Sequence, residues 1–177
     1  MTTAQEVVAE EIADQDLIDR IIAERAGRPG ALLGILQQLQ DESRNKYLPM
    51  GTLEYVAARS GIPQSQVFSV ASFYALFNLE PQGNHTVAIC RGTACHTRGS
   101  RPLLERVKLQ LGLLETGDDA DKVSLTTPDL EFTVRTVACF GQCALAPVIE
   151  IDHAIRGHVS EQAMIREVGE LRRESKR

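Results

Sequence analysis

The residues best suited to chemistry are four cysteines in two pairs: Cys90 with Cys95, four residues between them, and Cys139 with Cys143, three between. Clustered thiols in a reducing compartment are more often metal ligands or redox groups than structural disulfides. Three chemistries compete. Structural zinc uses four-cysteine sites, although zinc ribbons favour two residues between paired cysteines. A dithiol redox centre usually has the same two-residue spacing, which neither pair shows. A 2Fe-2S cluster on four thiolates accommodates both spacings. Spacing alone leaves cluster and zinc open.

Each pair begins where a strand is predicted to end. His85 to Cys90 is a short run rich in β-branched residues that leads into the first cysteine, and Phe132 to Val137 alternates in the same way just before Cys139. Two loops leaving adjacent strands at one sheet edge can gather four thiols, with the strands fixing both loops. Gly92, Gly99 and Gly141 allow tight turns that aim N–H groups at sulfur. Arg91, Arg98 and Arg101 surround the first pair; they read either as cations that stabilise an anionic centre or as solvated loop residues. His96 adjoins Cys95, but histidine ligation of a Rieske type needs two histidines on one iron, so His96 is assigned beside the site or to solvent. His85, His153 and His158 read as surface or strand-end residues.

Around these strands the second half reads as a small α/β layer. Ser100 is the expected cap of a helix with Leu103, Leu104, Val107 and Leu111 on one face, ending near Gly112. Residues 115–121 are acidic and read as a surface loop. Val148 to Ile151, a turn at Asp152 and His153, and Ala154 to Val159 form a predicted hairpin, and Ser160 starts a final helix.

The first half reads as helices. Leu17, Ile18, Ile21 and Ile22 recur at helical spacing, a second helix runs from Ala31 to about Asn45, and a third lies between a Thr52 cap and Gly61. From Pro63 an apolar helix is predicted through Val67, Phe68, Val70, Ala71, Phe73, Tyr74 and Phe77, too apolar to face water. The aromatic residues Phe68, Phe73, Tyr74 and Phe77 are assigned to the bundle core, with a partner surface as the alternative. The change of periodicity near Pro81 to Asn84 divides the chain into a helical unit, 1–84, and an α/β unit, 85–177.

Composition narrows the function. The 177 residues are 43% hydrophobic and 24% charged, as in an ordinary globular protein, and no stretch approaches the ~18 apolar residues of a membrane span. The acidic start, MTTAQEVVAEE, is unlike a secretory or transit peptide, so the expected location is cytoplasmic. Residues 1–84 hold eleven Asp and Glu against six Lys and Arg, and residues 85–177 hold thirteen of each, so the formal charge of −5 lies in the helical unit. The segment Thr52 to Phe77 has the outline of a helix-turn-helix, yet its second helix lacks Lys and Arg, which opposes DNA binding. No glycine motif that would cradle a nucleotide phosphate is present, and no catalytic residue is expected.

The sequence CRGTACHTRGS from Cys90 to Ser100, CFGQCALAP from Cys139 to Pro147, and upstream Gly61-Ile62-Pro63 with VASFY from Val70 to Tyr74 resemble the thioredoxin-like 2Fe-2S subunit of complex I. The same family supplies small subunits of NAD-reducing and electron-bifurcating hydrogenases and of NAD-dependent formate dehydrogenases. The resemblance covers roughly residues 30 to 171. It implies an α/β thioredoxin-like domain with one 2Fe-2S cluster, preceded by a helical bundle; since a cluster domain of about a hundred residues can support its own core, the extra helical unit is read as a docking adaptor. It also implies that Cys90, Cys95, Cys139 and Cys143 are the cluster ligands. The implied partner is a larger flavoprotein subunit carrying FMN and NAD(H), with further iron-sulfur subunits beyond it. A stand-alone ferredoxin is the alternative. Relatives often have a small residue where this chain has Gln142, and Pro147 is the candidate for the cis-proline of such folds, an ordinary trans proline being the other reading.

Overall fold

The computed structural model describes residues 14–113 and 124–174, and the chain divides into two compact units, 1–82 and 83–177. The acidic stretch 115–121 lies outside the described residues.

In the first unit, helices α1 (Gln15–Arg25), α2 (Ala31–Glu42), α3 (Met50–Ser60) and α4 (Gln64–Phe73) surround an aliphatic core. Asp14 caps α1, its Oδ1 accepting from the Asp16 N–H at 3.1 Å. Ile18, Ile21, Leu36, Leu39, Leu53, Val56 and Val67 are fully buried, each side chain contributing about 1.5–3 kcal/mol of transfer free energy. The start of α3 differs from expectation. Pro49 precedes the first turn and accepts from Thr52 and Leu53, so Thr52 lies inside the helix, buried, instead of capping it. Gly61 ends α3 in the left-handed conformation, as its position predicts.

The apolar segment after Pro63 departs most from its prediction. Helix α4 stops at Phe73 and buries only Val67 and Ala71. Phe77 is buried, but Phe68, Phe73 and Tyr74 are 40%, 80% and 44% exposed, which corrects the assignment of the aromatic group to the core. Gln40 explains the path. Buried on α2, it donates from Nε2 to the Leu76 carbonyl at 3.0 Å and accepts from the Asn78 N–H at 2.7 Å. A side-chain amide thus satisfies backbone that a continued helix would have satisfied internally, and the chain after Phe73 turns instead, the Phe77 N–H donating to the Tyr74 carbonyl at 3.0 Å. Helix α2 likewise ends at Glu42, three residues before the expected Asn45.

The second unit is one five-stranded sheet with two helices packed on one face. In chain order it contains β1 (His85–Cys90), α5 (Thr93–Thr97), α6 (Ser100–Leu111), β2 (Ser124–Thr126), β3 (Phe132–Val137), a 3-10 turn (Cys143–Leu145), β4 (Ile149–Ile151), β5 (Ala154–Arg156) and α7 (Glu161–Glu174). The strand order is β2-β3-β1-β4-β5; β1 and β3 are parallel and the other neighbours antiparallel. Leu103, Val107 and Leu111 of α6 and Met164 and Val168 of α7 bury against Val87, Ile89, Phe132, Val134 and Ile149. Both long strands match their predicted limits. Ser100 is not the cap of α6 but its first residue, since Gly99 occupies the cap position in the left-handed region. Ser160 does serve α7, its Oγ accepting from the Ala163 N–H at 3.2 Å. The return strand of the hairpin ends at Arg156, short of Val159, with His158 at positive φ.

Candidate metal centre

Because β1 and β3 are parallel neighbours in register from His85 with Phe132 to Cys90 with Val137, they end at the same edge of the sheet. Cys90 is the last residue of β1, and its N–H donates to Val148 at 3.2 Å. Arg91 then donates to the Val137 carbonyl at 2.8 Å, which ties the start of one cysteine loop to the start of the other. Cys95 lies within the short helix α5, buried against Cys90, Ala146 and Val148. On the second loop the chain turns at Gly141, where φ is 76°, and enters the 3-10 turn at Cys143.

This path brings all four predicted cysteines to one edge of the sheet, close enough that the Cys95 and Cys139 sulfurs influence the ionisation of Cys90. All four are free thiols; Cys90 and Cys95 are buried and Cys139 and Cys143 exposed. The Cys139 and Cys143 sulfurs are 4.0 Å apart. Two thiolates sharing one tetrahedral metal at ~2.3 Å would be about 3.8 Å apart, so this pair is spaced to hold one metal atom.

Backbone N–H groups surround the sulfurs. Gly141 donates to Cys139 at 3.2 Å, and the N–H groups of Phe140 and Gly92 lie toward Cys90 and that of Val148 toward Cys95, where they lower the cost of ionising the sulfurs. These donors favour thiolate over thiol. Burial pushes the Cys90 thiol up, but its two N–H donors and the neighbouring Cys95 and Cys139 sulfurs outweigh that and leave it below the ordinary value. Burial, and then the Cys90 sulfur, push Cys95 up. The Cys139 sulfur does the same to Cys143 through its hydrogen bond and its charge. Negative charge gathered on one sulfur thus opposes ionisation of Cys95 and Cys143, a cost that a cationic centre between the sulfurs would offset.

Among the described residues, no three His, Cys, Asp or Glu side chains converge so as to hold one metal ion. A single zinc would need all four sulfurs around one point, whereas a two-iron centre needs two pairs side by side. Donor chemistry, pairing and N–H groups together fit a 2Fe-2S cluster. Gly92 permits the approach of the loops, since a Cβ there would lie 3.2 Å from the Ala138 oxygen and 3.4 Å from the Cys139 sulfur.

The surrounding predictions separate. Arg98 Nη1 donates to the Ala146 carbonyl at 3.3 Å, so this arginine is not merely solvated. Arg101 instead pairs with Glu105 at 3.1 Å on the exposed face of α6. His96 is exposed on α5, and His85 pairs with Asp152 at 2.7 Å, at the opposite end of β1 from Cys90. Gln142 is exposed at the start of the 3-10 turn, where its carbonyl accepts from Leu145 at 2.9 Å. The Ala146-Pro147 peptide is cis. The N–H groups of Phe140 and Val148 escape sequence reasoning, because a backbone donor leaves no mark in residue type.

Comparison with known proteins follows the same residues. The sequence model of the thioredoxin-like 2Fe-2S ferredoxin family matches residues 18–172. The chain belongs to this family. Among curated relatives of this ferredoxin, the NADP-reducing hydrogenase subunit HndA of Solidesulfovibrio fructosivorans is 34% identical over 75% of this chain and 72% of its own. A subunit of the NADH-quinone oxidoreductase of Rickettsia felis is 30% identical over 78% of this chain and 77% of its own. Among solved structures, a NAD+-reducing NiFe-hydrogenase in the air-oxidised state matches with a TM-score of 0.65 at 19% identity, which bears on fold alone. That match covers 82% of this chain but only 23% of the hydrogenase chain. The fold is therefore the α/β, thioredoxin-like one that the cysteine motifs imply, and the family cofactor is one 2Fe-2S cluster.

Proposed function

We propose that this ferredoxin is the electron-transfer subunit of a multi-subunit NAD(P)H-linked oxidoreductase, with its single 2Fe-2S cluster ligated by Cys90, Cys95, Cys139 and Cys143. The observation that carries the reading is the convergence of these thiols, two buried and two exposed, at the shared edge of β1 and β3. When bound, the cluster supplies one-electron transfer without bond-making. The chain's own contribution is to hold the sulfurs, to aim N–H groups of Gly92, Phe140, Gly141 and Val148 at them, and to keep one pair from water while leaving the other near the surface.

The partner in this reading is a larger flavoprotein subunit holding FMN and NAD(H), with further iron-sulfur subunits beyond it. Its relatives are subunits of a hydrogenase and of NADH-quinone oxidoreductase, which supports an assembly over a free carrier. The helical unit is the docking adaptor, and its exposed Phe68, Phe73, Tyr74 and Leu76 are the surface proposed to meet the flavoprotein. Among the described residues no helix is long and apolar enough to cross a membrane, and a cytoplasmic location, peripheral to any membrane complex, accords with this. DNA binding has little support, because α4 carries no Lys or Arg and exposes aromatic side chains.

The test is purification from the native cell with its complex intact. A large flavin-containing subunit should co-purify, and NADH or NADPH should reduce the bound ferredoxin. Recovery only as a monomer that no flavoprotein reduces would leave the stand-alone ferredoxin. Cys95→Ala or Cys139→Ala should lose or destabilise the cluster, and an unchanged visible spectrum in either would show that the ligand set is wrong.

A further inference from the structure

The turn that carries Cys143 is bound to its surroundings almost entirely by backbone groups. The Cys143 carbonyl accepts from Ala146, the Leu145 carbonyl from His158, the Pro147 carbonyl from Val159 and the Val148 carbonyl from Cys90. The carbonyl of Ala146 is the exception. Ala146 is 2% exposed, and a side chain, the guanidinium of Arg98, meets its oxygen at 3.3 Å.

Arg98 lies three residues beyond Cys95, where it closes α5, its N–H donating to the Cys95 carbonyl at 3.2 Å. A continuous path therefore runs from Cys95 through Arg98 to Ala146, and from the Ala146 N–H to the Cys143 carbonyl at 3.3 Å. Arg98 is exposed, and among the described residues no carboxylate lies within ion-pairing distance of it, so solvent alone, and no partner side chain, screens its charge.

We infer that Arg98 is a positioning residue for the cluster: its guanidinium braces the Cys95 loop against the Cys143 turn and keeps an uncompensated positive charge beside the site. This rests on the cluster assignment above. Two physical effects follow. Removing the brace leaves a buried carbonyl without its donor, which costs more than the bond itself was worth and loosens the relation between the two loops. Removing the charge takes a cation from the neighbourhood of an anionic centre, which lowers its reduction potential.

Arg98→Ala, Arg98→Gln and Arg98→Lys in the full-length holoprotein separate these effects. Iron loss to a chelator, followed by visible absorbance, should be about tenfold faster in the Ala variant, the low end for a hydrogen bond from a charged donor. Its midpoint potential should fall. The Gln variant can still donate to the Ala146 carbonyl, so iron loss should stay near wild type while the potential falls. The Lys variant keeps the charge, so its potential should stay near wild type whether or not its ammonium reaches the carbonyl. Far-UV circular dichroism of each variant checks that folding is intact. A cluster-loaded Arg98→Ala protein with wild-type iron loss and wild-type potential would overturn the brace, and a wild-type potential in Arg98→Gln would overturn the role of charge. Wild-type protein that assembles no iron-sulfur centre would instead remove the assignment on which this inference rests.

Discussion

Gly92→Ala tests how closely the two cysteine loops approach. Gly92 has φ −58° and ψ 155°, a conformation alanine adopts freely, so the substitution carries no backbone penalty. The new Cβ would meet the Ala138 oxygen at 3.2 Å, the Cys139 sulfur at 3.4 Å and the Cys139 Cβ at 3.5 Å. Non-bonded heavy atoms prefer about 3.5–4.0 Å, so the second loop must withdraw by a few tenths of an ångström. Overpacking of this kind costs about 1–3 kcal/mol. At a sheet edge, where one loop can yield, the low end applies, and ~1 kcal/mol is roughly fivefold in an equilibrium or rate. Iron loss to a chelator should therefore quicken about fivefold. EPR g-values and visible circular dichroism should shift, because the displaced atom is a sulfur of the proposed ligand set. Gly141 gives the contrast: nothing lies within 4 Å of its Cβ position, but its φ of 76° makes alanine cost about 1–2 kcal/mol in the backbone. Asparagine, which tolerates this region, should restore much of the loss at 141 but none at 92. Wild-type spectra and wild-type iron loss in Gly92→Ala would refute the close approach of the loops.

Other outcomes follow from the helical unit. Phe73→Ser should leave stability near wild type because the ring is 80% exposed, yet should weaken co-purification with the proposed flavoprotein partner; retention of the whole complex would exclude this surface. Phe77→Ala, at a 7% exposed position, should instead destabilise the unit by about 3 kcal/mol in urea unfolding. Asp19 is held below the usual carboxylate range, first by hydrogen bonds from Arg59, which reaches both oxygens at 2.7 Å. A depressed carboxylate contributes stability above its unfolded value of about 4, and that contribution disappears as pH falls through the folded value. Asp19→Asn should thus lower Tm slightly at pH 7 and match wild type in strong acid; a gap that widens in acid would contradict the pairing.

Much of the α/β unit is legible in residue type. β-branched alternation marks β1 and β3 to the residue, and the cysteines at their ends already imply a shared edge, which parallel pairing of the two strands supplies. Short elements carry no comparable signal. The five residues of α5 and the three of β2 are too few to show a period, and α5 exists because Cys95 is packed inward against Cys90 and Val148. The end of α4 escapes prediction because apolar composition cannot distinguish a continuing helix from an exposed aromatic surface. The deciding contact, Gln40 with the backbone of Leu76 and Asn78, spans 36 and 38 residues. Cap positions differ by three residues and by one where Pro49 and Gly99 take the place expected of Thr52 and Ser100. At the site, the cysteines are visible in the sequence, but the N–H groups of Phe140 and Val148 and the reach of Arg98 depend on how two distant loops fold together.

The central claim is that four thiols of this chain hold one two-iron cluster. Metal and acid-labile sulfide analysis of protein purified without oxygen tests it most directly, with EPR after dithionite reduction on the same sample. The protein should be red-brown, with about two irons and two sulfides per chain, and should give a rhombic spin-one-half signal on reduction. A colourless protein with one zinc per chain and no sulfide would contradict it.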